Sequence, residues 1–195
     1  METVCPYAAL EQTVSQQFSA PGPGLWWEGS SNTRCNYLLL DPRRLPRDDE
    51  PLDARRRWAA FLDAIFYIGQ GRSFRQHAHM LEAASALRER ARSRSGKVKM
   101  ILDIWEEGQG VVSYLVFCNI VQEEARTREA AMIDALGIDF LTNERKGSYH
   151  GVAREWSQKQ KQQLGTYLLY KAFHQFRSER AHHIRPCDLG IWCGK

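Results

Sequence analysis

The stretch that most constrains this chain is Tyr67-Ile68-Gly69, reached through the apolar run Ala64-Ile65-Phe66 and followed by Gln70-Gly71. A short β-branched and aromatic run closed by glycines reads as a buried strand, here Ala64 to Ile68. Gly69 and Gly71 are then expected to turn the backbone sharply into a helix from about Phe74 to Arg92, with Met80, Leu81, Ala84 and Leu87 on its inner face. Arg75 and His79 fall four residues apart on that helix, so they share a face.

The same reading places a first strand at Cys35-Asn36-Tyr37-Leu38-Leu39-Leu40, stopped by Asp41-Pro42. Leu52 to Leu62 carries Trp58, Phe61 and Leu62 at helical spacing, so a helix is inserted between the two strands. Val98 to Trp105 gives another helix, Val111 to Val121 a third strand, and Glu123 to Leu136 a helix with Gly137 at its C-cap position. Ser157 opens a last helix towards Arg180, with Leu164, Tyr167, Leu168, Ala172 and Phe176 inward. The expectation is an α/β (α+β) domain: a small three-stranded mixed or antiparallel sheet flanked by helices, with an extra helix between the first two strands. Residues 1–33, with Pro21-Gly22-Pro23-Gly24 and no sustained apolar period, read as a tail or linker anchored by Leu25, Trp26 and Trp27. Residues 34–180 form the domain and 181–195 a C-terminal tail.

At 195 residues, 43% hydrophobic and 26% charged, the chain has enough material for one cored domain. No apolar stretch reaches the roughly twenty residues of a membrane span, and there is no signal-like N-terminus. The expected setting is therefore intracellular, with nucleus, cytoplasm and mitochondrion all open. Five cysteines without a CxxC pair read as reduced thiols rather than a disulfide framework. His182-His183 with Cys187 and Cys193 fits no standard zinc spacing. The net charge is only +4, yet Gly71 to Lys99 holds eight Arg or Lys against Glu82 and Glu89, and a second basic block runs from Arg145 to Arg180. Clustered cations suit a polyanion, because each neutralised phosphate releases condensed counterions; solvated helix faces are the equally weighted alternative.

Taken in order, Tyr37-Leu38-Leu39-Leu40-Asp41, Phe66-Tyr67-Ile68-Gly69, Arg75, His79, Arg128-Glu129 and Asn143 resemble the GIY-YIG nuclease superfamily. More narrowly, Tyr37 to Pro42, Tyr67-Ile68-Gly69-Gln70-Gly71-Arg72, Ile101 to Trp105 and Thr127 to Asn143 are similar to the nuclease domain of the ankyrin-repeat-and-LEM-domain endonucleases. The resemblance covers residues 35 to about 176. Cys35-Asn36 stands where the superfamily has Gly-Ile, and neither ankyrin repeats nor a LEM module occur in this stretch of sequence.

The resemblance implies hydrolysis of a phosphodiester with Tyr37, Tyr67, Arg75, His79 and Glu129 as catalytic residues and Glu129 as the ligand of one Mg²⁺, with Mn²⁺ as a substitute. A phenol of pKa about 10 is a poor base without positive charge nearby, and Arg75 offers that charge with several donors for phosphate oxygens. Glu129 supplies the hard oxygen that Mg²⁺ takes, since water and phosphate complete its shell. His77 alternates with His79 and reads as surface. Arg72, Lys97, Lys99, Asn143 and Lys146 are the expected DNA contacts, Asn143 with loop capping as its alternative. The expected activity is a divalent-metal-dependent endonuclease acting on branched or distorted DNA, with monomer and dimer both open and the monomer preferred. Its rivals are a non-catalytic nucleic-acid-binding module on the same fold and a protein-interaction domain.

Overall fold

In the computed structural model, which describes residues 7–19, 34–47, 50–72, 75–89, 95–179 and 182–190, the first strand is central. β1 (Arg34–Leu40) pairs antiparallel with β2 (Ile65–Arg72) on one side and β3 (Val111–Ile120) on the other. Every β1 residue after Arg34 is buried, as a strand covered on both faces requires. The sheet has four strands rather than the expected three, in the order β2-β1-β3-β4. The added strand, β4 (His182–Ile184), pairs antiparallel with β3 inside the segment expected as a C-terminal tail. Three residues are too few to display a period of two, and the indole of Trp105 helps hold the strand by donating to the Ile184 carbonyl at 2.9 Å.

The alternation of β1 sorts the helices into two layers. Leu38 and Leu40 pack with α2 (Ala54–Ala64), α5 (Gln122–Leu136) and α6 (Gln158–Ser178), through Phe61, Met132, Ile133, Leu164 and Leu168. Tyr37 and Leu39 face the other way, against α3 (Arg75–Glu89) and α4 (Gly96–Glu106), where Met80, Ala84, Val98, Ile101 and Ile104 are fully buried. Local signals set the helix ends. Asp53 caps α2 by accepting from the Arg56 amide at 2.7 Å, Ser157 and Gln160 form a capping box on α6, and Gly137, at φ 89°, closes α5. The helix between the first two strands is present as expected, and it runs directly into β2.

Two further expectations fail. Within residues 1–33, Ala8–Ser19 forms a helix, α1, whose Val14 is buried in the core; the proline- and tryptophan-bearing segment lies outside the described residues. α1 is held by the short stripe Leu10, Val14 and Phe18 against the core and by charge. Buried Arg128 of α5 donates to Glu124 at 2.8 Å, to Glu11 at 3.0 Å and to the Ser15 hydroxyl at 2.7 Å, and Lys171 of α6 adds a second cation to Glu11 at 2.8 Å. Burial raises the Glu11 pKa, but the bonds from Lys171 and Arg128 outweigh it and leave the carboxyl below its ordinary range. Second, Cys35 and Cys118 are joined in a disulfide across β1 and β3, with Cα atoms 4.1 Å apart, so the reading of reduced thiols does not hold for this pair. Sequence could not pair them, because they lie 83 residues apart and meet only through the strand register. Cys187 is a free, exposed thiol.

Candidate active site

The register of β1 against β2 builds the site. Tyr37 lies opposite Gly69, Cys35 opposite Gly71 and Leu39 opposite Tyr67, so these six positions share one sheet face. Lacking side chains, Gly69 and Gly71 leave a trough along β2. The Tyr37 ring lies across the first: a Cβ at Gly69 would sit 2.8 Å from Cε1 of Tyr37 and closer still to its outer ring atoms. The stem of Arg75 lies across the second, 2.6 Å from where a Gly71 Cβ would be. Both glycines are strand residues of β2, not the sharp turn expected from their type. They are needed for close approach, not for an unusual backbone angle.

Three rings converge over this trough. The Tyr37 hydroxyl and Nε2 of His79 share a hydrogen bond of 2.7 Å. The Tyr67 ring meets the His79 ring edge-on at 5.2 Å and the Tyr37 ring at 6.1 Å. Lys97 of α4 stands over Tyr67, its Nζ 4.6 Å from the ring centroid. Burial dominates the electrostatics here. It pushes the Tyr37 phenol well above its ordinary range, helped by neighbouring Tyr67 and the charge of Glu129 and opposed by Arg75. Tyr67 is raised by burial and Glu129. His79 is lowered to about 4, by burial first and then by Lys97 and Arg75, so its imidazole is neutral at physiological pH. Burial also lowers Lys97.

Glu129 comes to the same place from α5, one residue beyond Arg128 and with Ile133 buried one turn on. Among the described residues its carboxylate accepts no hydrogen bond. Burial raises its pKa to about 7, with Arg126 the cation that opposes the rise. A half-buried carboxylate with so little compensation fits a divalent cation, which would favour its ionised form. No group of three or more His, Cys, Asp or Glu among the described residues could hold a metal. The fit is therefore to an ion held by one protein carboxylate, with other ligands from solvent or substrate.

The structure brings Tyr37, Tyr67, Arg75, His79 and Glu129 together, with Lys97 among them. Lys146 is exposed, in the loop whose Gly147 packs against Ala130 of α5. Arg72 and Lys99 are exposed and form no bond to this group. Asn143 takes up the capping role given as its alternative. Its amide donates to the Ile68 carbonyl at 2.7 Å and its Oδ1 accepts from the Ile68 amide at 3.0 Å. With Thr142, whose amide donates to the Phe66 carbonyl at 2.7 Å, it caps the open edge of β2 and fixes Tyr67 between two held residues. His77 is half-buried rather than on the surface. Sequence reasoning missed Arg126 and Glu144, whose charges act on Glu129 and on Tyr67 respectively. Arg126 had a signal, its three-residue spacing from Glu129 on one helix; Glu144 had none.

Comparison with known proteins identifies the family. Residues 34–190 match the LEM-3-like GIY-YIG domain. The chain is similar to the human protein named ankyrin repeat and LEM domain-containing protein 1, with 39% identity over 93% of this chain and 31% of the relative. The mouse protein of that name is 38% identical over 92% of this chain and 34% of its own length. A Caenorhabditis elegans homolog is 31% identical over 92% of this chain and 24% of its own length. The chain thus spans about a third or less of the curated relatives it matches. No solved structure matches it. With residues 34–190 matching its model and relatives 38–39% identical over most of the chain, the chain belongs to the LEM-3-like GIY-YIG family of nuclease domains.

Proposed function

We propose that this domain is a divalent-metal-dependent, structure-selective endonuclease that hydrolyses phosphodiesters in branched DNA, four-way junctions and flaps, to 5′-phosphate and 3′-hydroxyl ends, in the manner of a DNA-repair nuclease. The observation that carries the reading is the Tyr37–His79 hydrogen bond, set in a trough that Arg75 and Glu129 also reach. Bound Mg²⁺, or Mn²⁺ in its place, held by Glu129, would supply charge for the oxygens of the reacting phosphate.

The roles of the side chains follow from their surroundings. Tyr37 is too well buried to act as a free phenolate near neutrality. It acts as a relay: as attacking water loses its proton to the phenol oxygen, the phenol passes its own proton to Nε2 of the neutral His79 across the 2.7 Å bond. Arg75 donates to non-bridging phosphate oxygens, and the hydroxyl of the half-buried Tyr67 orients the same group. Asn143 is a positioning residue for the β2 edge.

The test is incubation of labelled four-way junction, flap and linear duplex with Mg²⁺, beside a Glu129→Ala control. Cutting of the branched substrates by wild type and not by the control is expected. Binding without cutting under any divalent ion sinks the enzymatic reading. We further propose that the domain works as a monomer in an intracellular setting. Among the described residues no helix is long and apolar enough to cross a membrane.

A further inference from the structure

A cleft lies away from the tyrosines, its Phe61 and Phe173 belonging to the core layer on the sheet face opposite Tyr37. It encloses about 1050 Å³ between the Pro42–Arg47 turn and α2 on one side and the last turn of α6 with His183 of β4 on the other. Four arginines line it, namely Arg43, Arg47, Arg57 and Arg177, against one carboxylate, Glu179. Two of these charges are engaged elsewhere. Arg43 is paired with Asp41 and Glu107, and Glu179 accepts from the Tyr114 hydroxyl at 3.1 Å. Among the described residues, Arg47, Arg57 and Arg177 pair with no carboxylate. Arg57 is held in place by donating to the backbone carbonyls of Leu52, at 3.2 Å, and Glu50, at 2.6 Å. Arg177 stands over the Phe173 ring, 5.8 Å from its centroid.

Below the guanidinium groups the wall is aromatic: Phe61, Phe173 and Phe176 meet with centroids 5.3 to 5.4 Å apart. Phe61 and Phe173 are buried core residues, so the rings form a rigid floor and the guanidinium groups above them are what a strand would meet, as donors to its phosphate oxygens. We propose that this cleft is a second DNA-backbone site, gripping one arm of a branched substrate while another arm lies in the trough. This rests on the nuclease reading for the scissile strand.

The position of the cleft favours an arm over a continuing straight duplex. Pro42 follows Tyr37 by five residues, which is about 17 Å along an extended strand. At one phosphate per ~3.4 Å of a strand, that is about five nucleotides from the trough. Phe61 and Phe173 also belong to the core layer on the sheet face opposite Tyr37. Nucleic acid touching both places must change direction around the end of the sheet. A branch point provides that change without the deformation energy a continuous duplex would carry.

The test uses a labelled four-way junction and a short linear duplex, with binding followed by anisotropy in EDTA and cutting followed in Mg²⁺. The variants are the double change Arg47→Gln with Arg177→Gln, and separately Ser178→Glu, which places a carboxylate in the same cleft at an exposed position. For the double variant, junction affinity should fall about tenfold, and the slope of log K against log salt should drop by about two, since each lost phosphate contact removes about 0.9. Ser178→Glu should weaken junction binding in the same direction, and duplex binding and turnover should be unchanged in both. Junction binding and salt slope equal to wild type in both variants would overturn the inference and leave the nuclease reading intact, as would equal weakening on junction and duplex. Cleft-dependent junction binding without cutting by wild type would keep the inference and remove the nuclease reading. Thermal melting of each variant beside wild type separates loss of fold from loss of contact.

Discussion

Removing the ionisation of Glu129 should stabilise the fold while abolishing what the site does. In the folded protein this carboxyl titrates at about 7, against 4.5 in its ordinary state, because burial disfavours its charged form. Between these values the folded protein binds more protons than the unfolded chain, so stability falls as pH rises from 4.5 through 7. At about 1.4 kcal/mol for each pH unit, most of the interval is crossed between pH 5 and pH 8. With allowance for the partial exposure of Glu129, the loss should be about 2 kcal/mol. Glu129→Gln keeps the shape and cannot ionise. In EDTA it should match wild type at pH 5 and melt higher at pH 8, by about 4 to 8 °C for a domain of this size. Mg²⁺ should then close the gap from the other side, stabilising wild type by about 2.7 kcal/mol at one hundred times its dissociation constant and leaving the variant unmoved. The assay is thermal melting at the two pH values, with and without Mg²⁺. A melting difference between wild type and variant that is the same at both pH values refutes the reasoning, because burial of an ionisable carboxyl cannot produce it.

Three further outcomes follow from the same geometry. Gly69→Ala drives a methyl group into the Tyr37 ring, which should cost about 1–3 kcal/mol as an overpacked contact and strongly reduce cutting; unchanged urea stability would show that the ring moves freely. Asn143→Ala removes both bonds to the Ile68 backbone, a loss of about 1–3 kcal/mol at 0.5–1.5 for each, with turnover lowered and DNA affinity unchanged; an affinity loss instead would return Asn143 to the DNA contacts. The His79 ring, followed by NMR, should titrate near 4, because burial, Lys97 and Arg75 all oppose its protonation. With a folded pKa below the unfolded one, its contribution to stability is present above about 6.5 and fades as pH falls towards 4. A ring titrating near 6.5 would mean that water reaches it and that the bond to Tyr37 is not formed.

The elements carrying long periodic patterns were legible in the sequence: α5 ends at Gly137, α6 begins at the Ser157 cap, and the apolar run from Cys35 is the central strand. The shared face of Tyr37 and Tyr67 was legible too, because a period of two and one hairpin pairing suffice to place them. What the sequence could not carry were features created by partners distant along the chain. α1 carries only the short stripe Leu10, Val14 and Phe18, and the rest of its hold comes from Glu11 and Ser15 on an arginine more than a hundred residues away. Asn143 reads as a loop polar residue until the edge of β2 is beside it. Gly69 and Gly71 were identified as special for a plausible reason that proved incorrect: glycine type signals both a turn and a close approach, and only the register distinguishes them.

The two consecutive charged residues of α5 show how one helix serves both stability and chemistry. About 100° of helical rotation separates Arg128 from Glu129. Arg128 points towards α1, where Glu11 and Glu124 compensate its charge and the ring of Phe117 lies 4.8 Å from its guanidinium carbon. Glu129 points towards the tyrosines, where, among the described residues, Arg126 is the cation that opposes its desolvation. Breaking the compensated side by truncating Arg128 would strand two acids in a buried place, at about 3–5 kcal/mol. On the uncompensated side, leaving the acid stranded is what makes it receptive to a cation. Fixing the helix through Arg128 sets the direction of Glu129, so α1, which reads as part of a tail or linker in the sequence, takes part in placing the carboxylate on which the proposed chemistry depends.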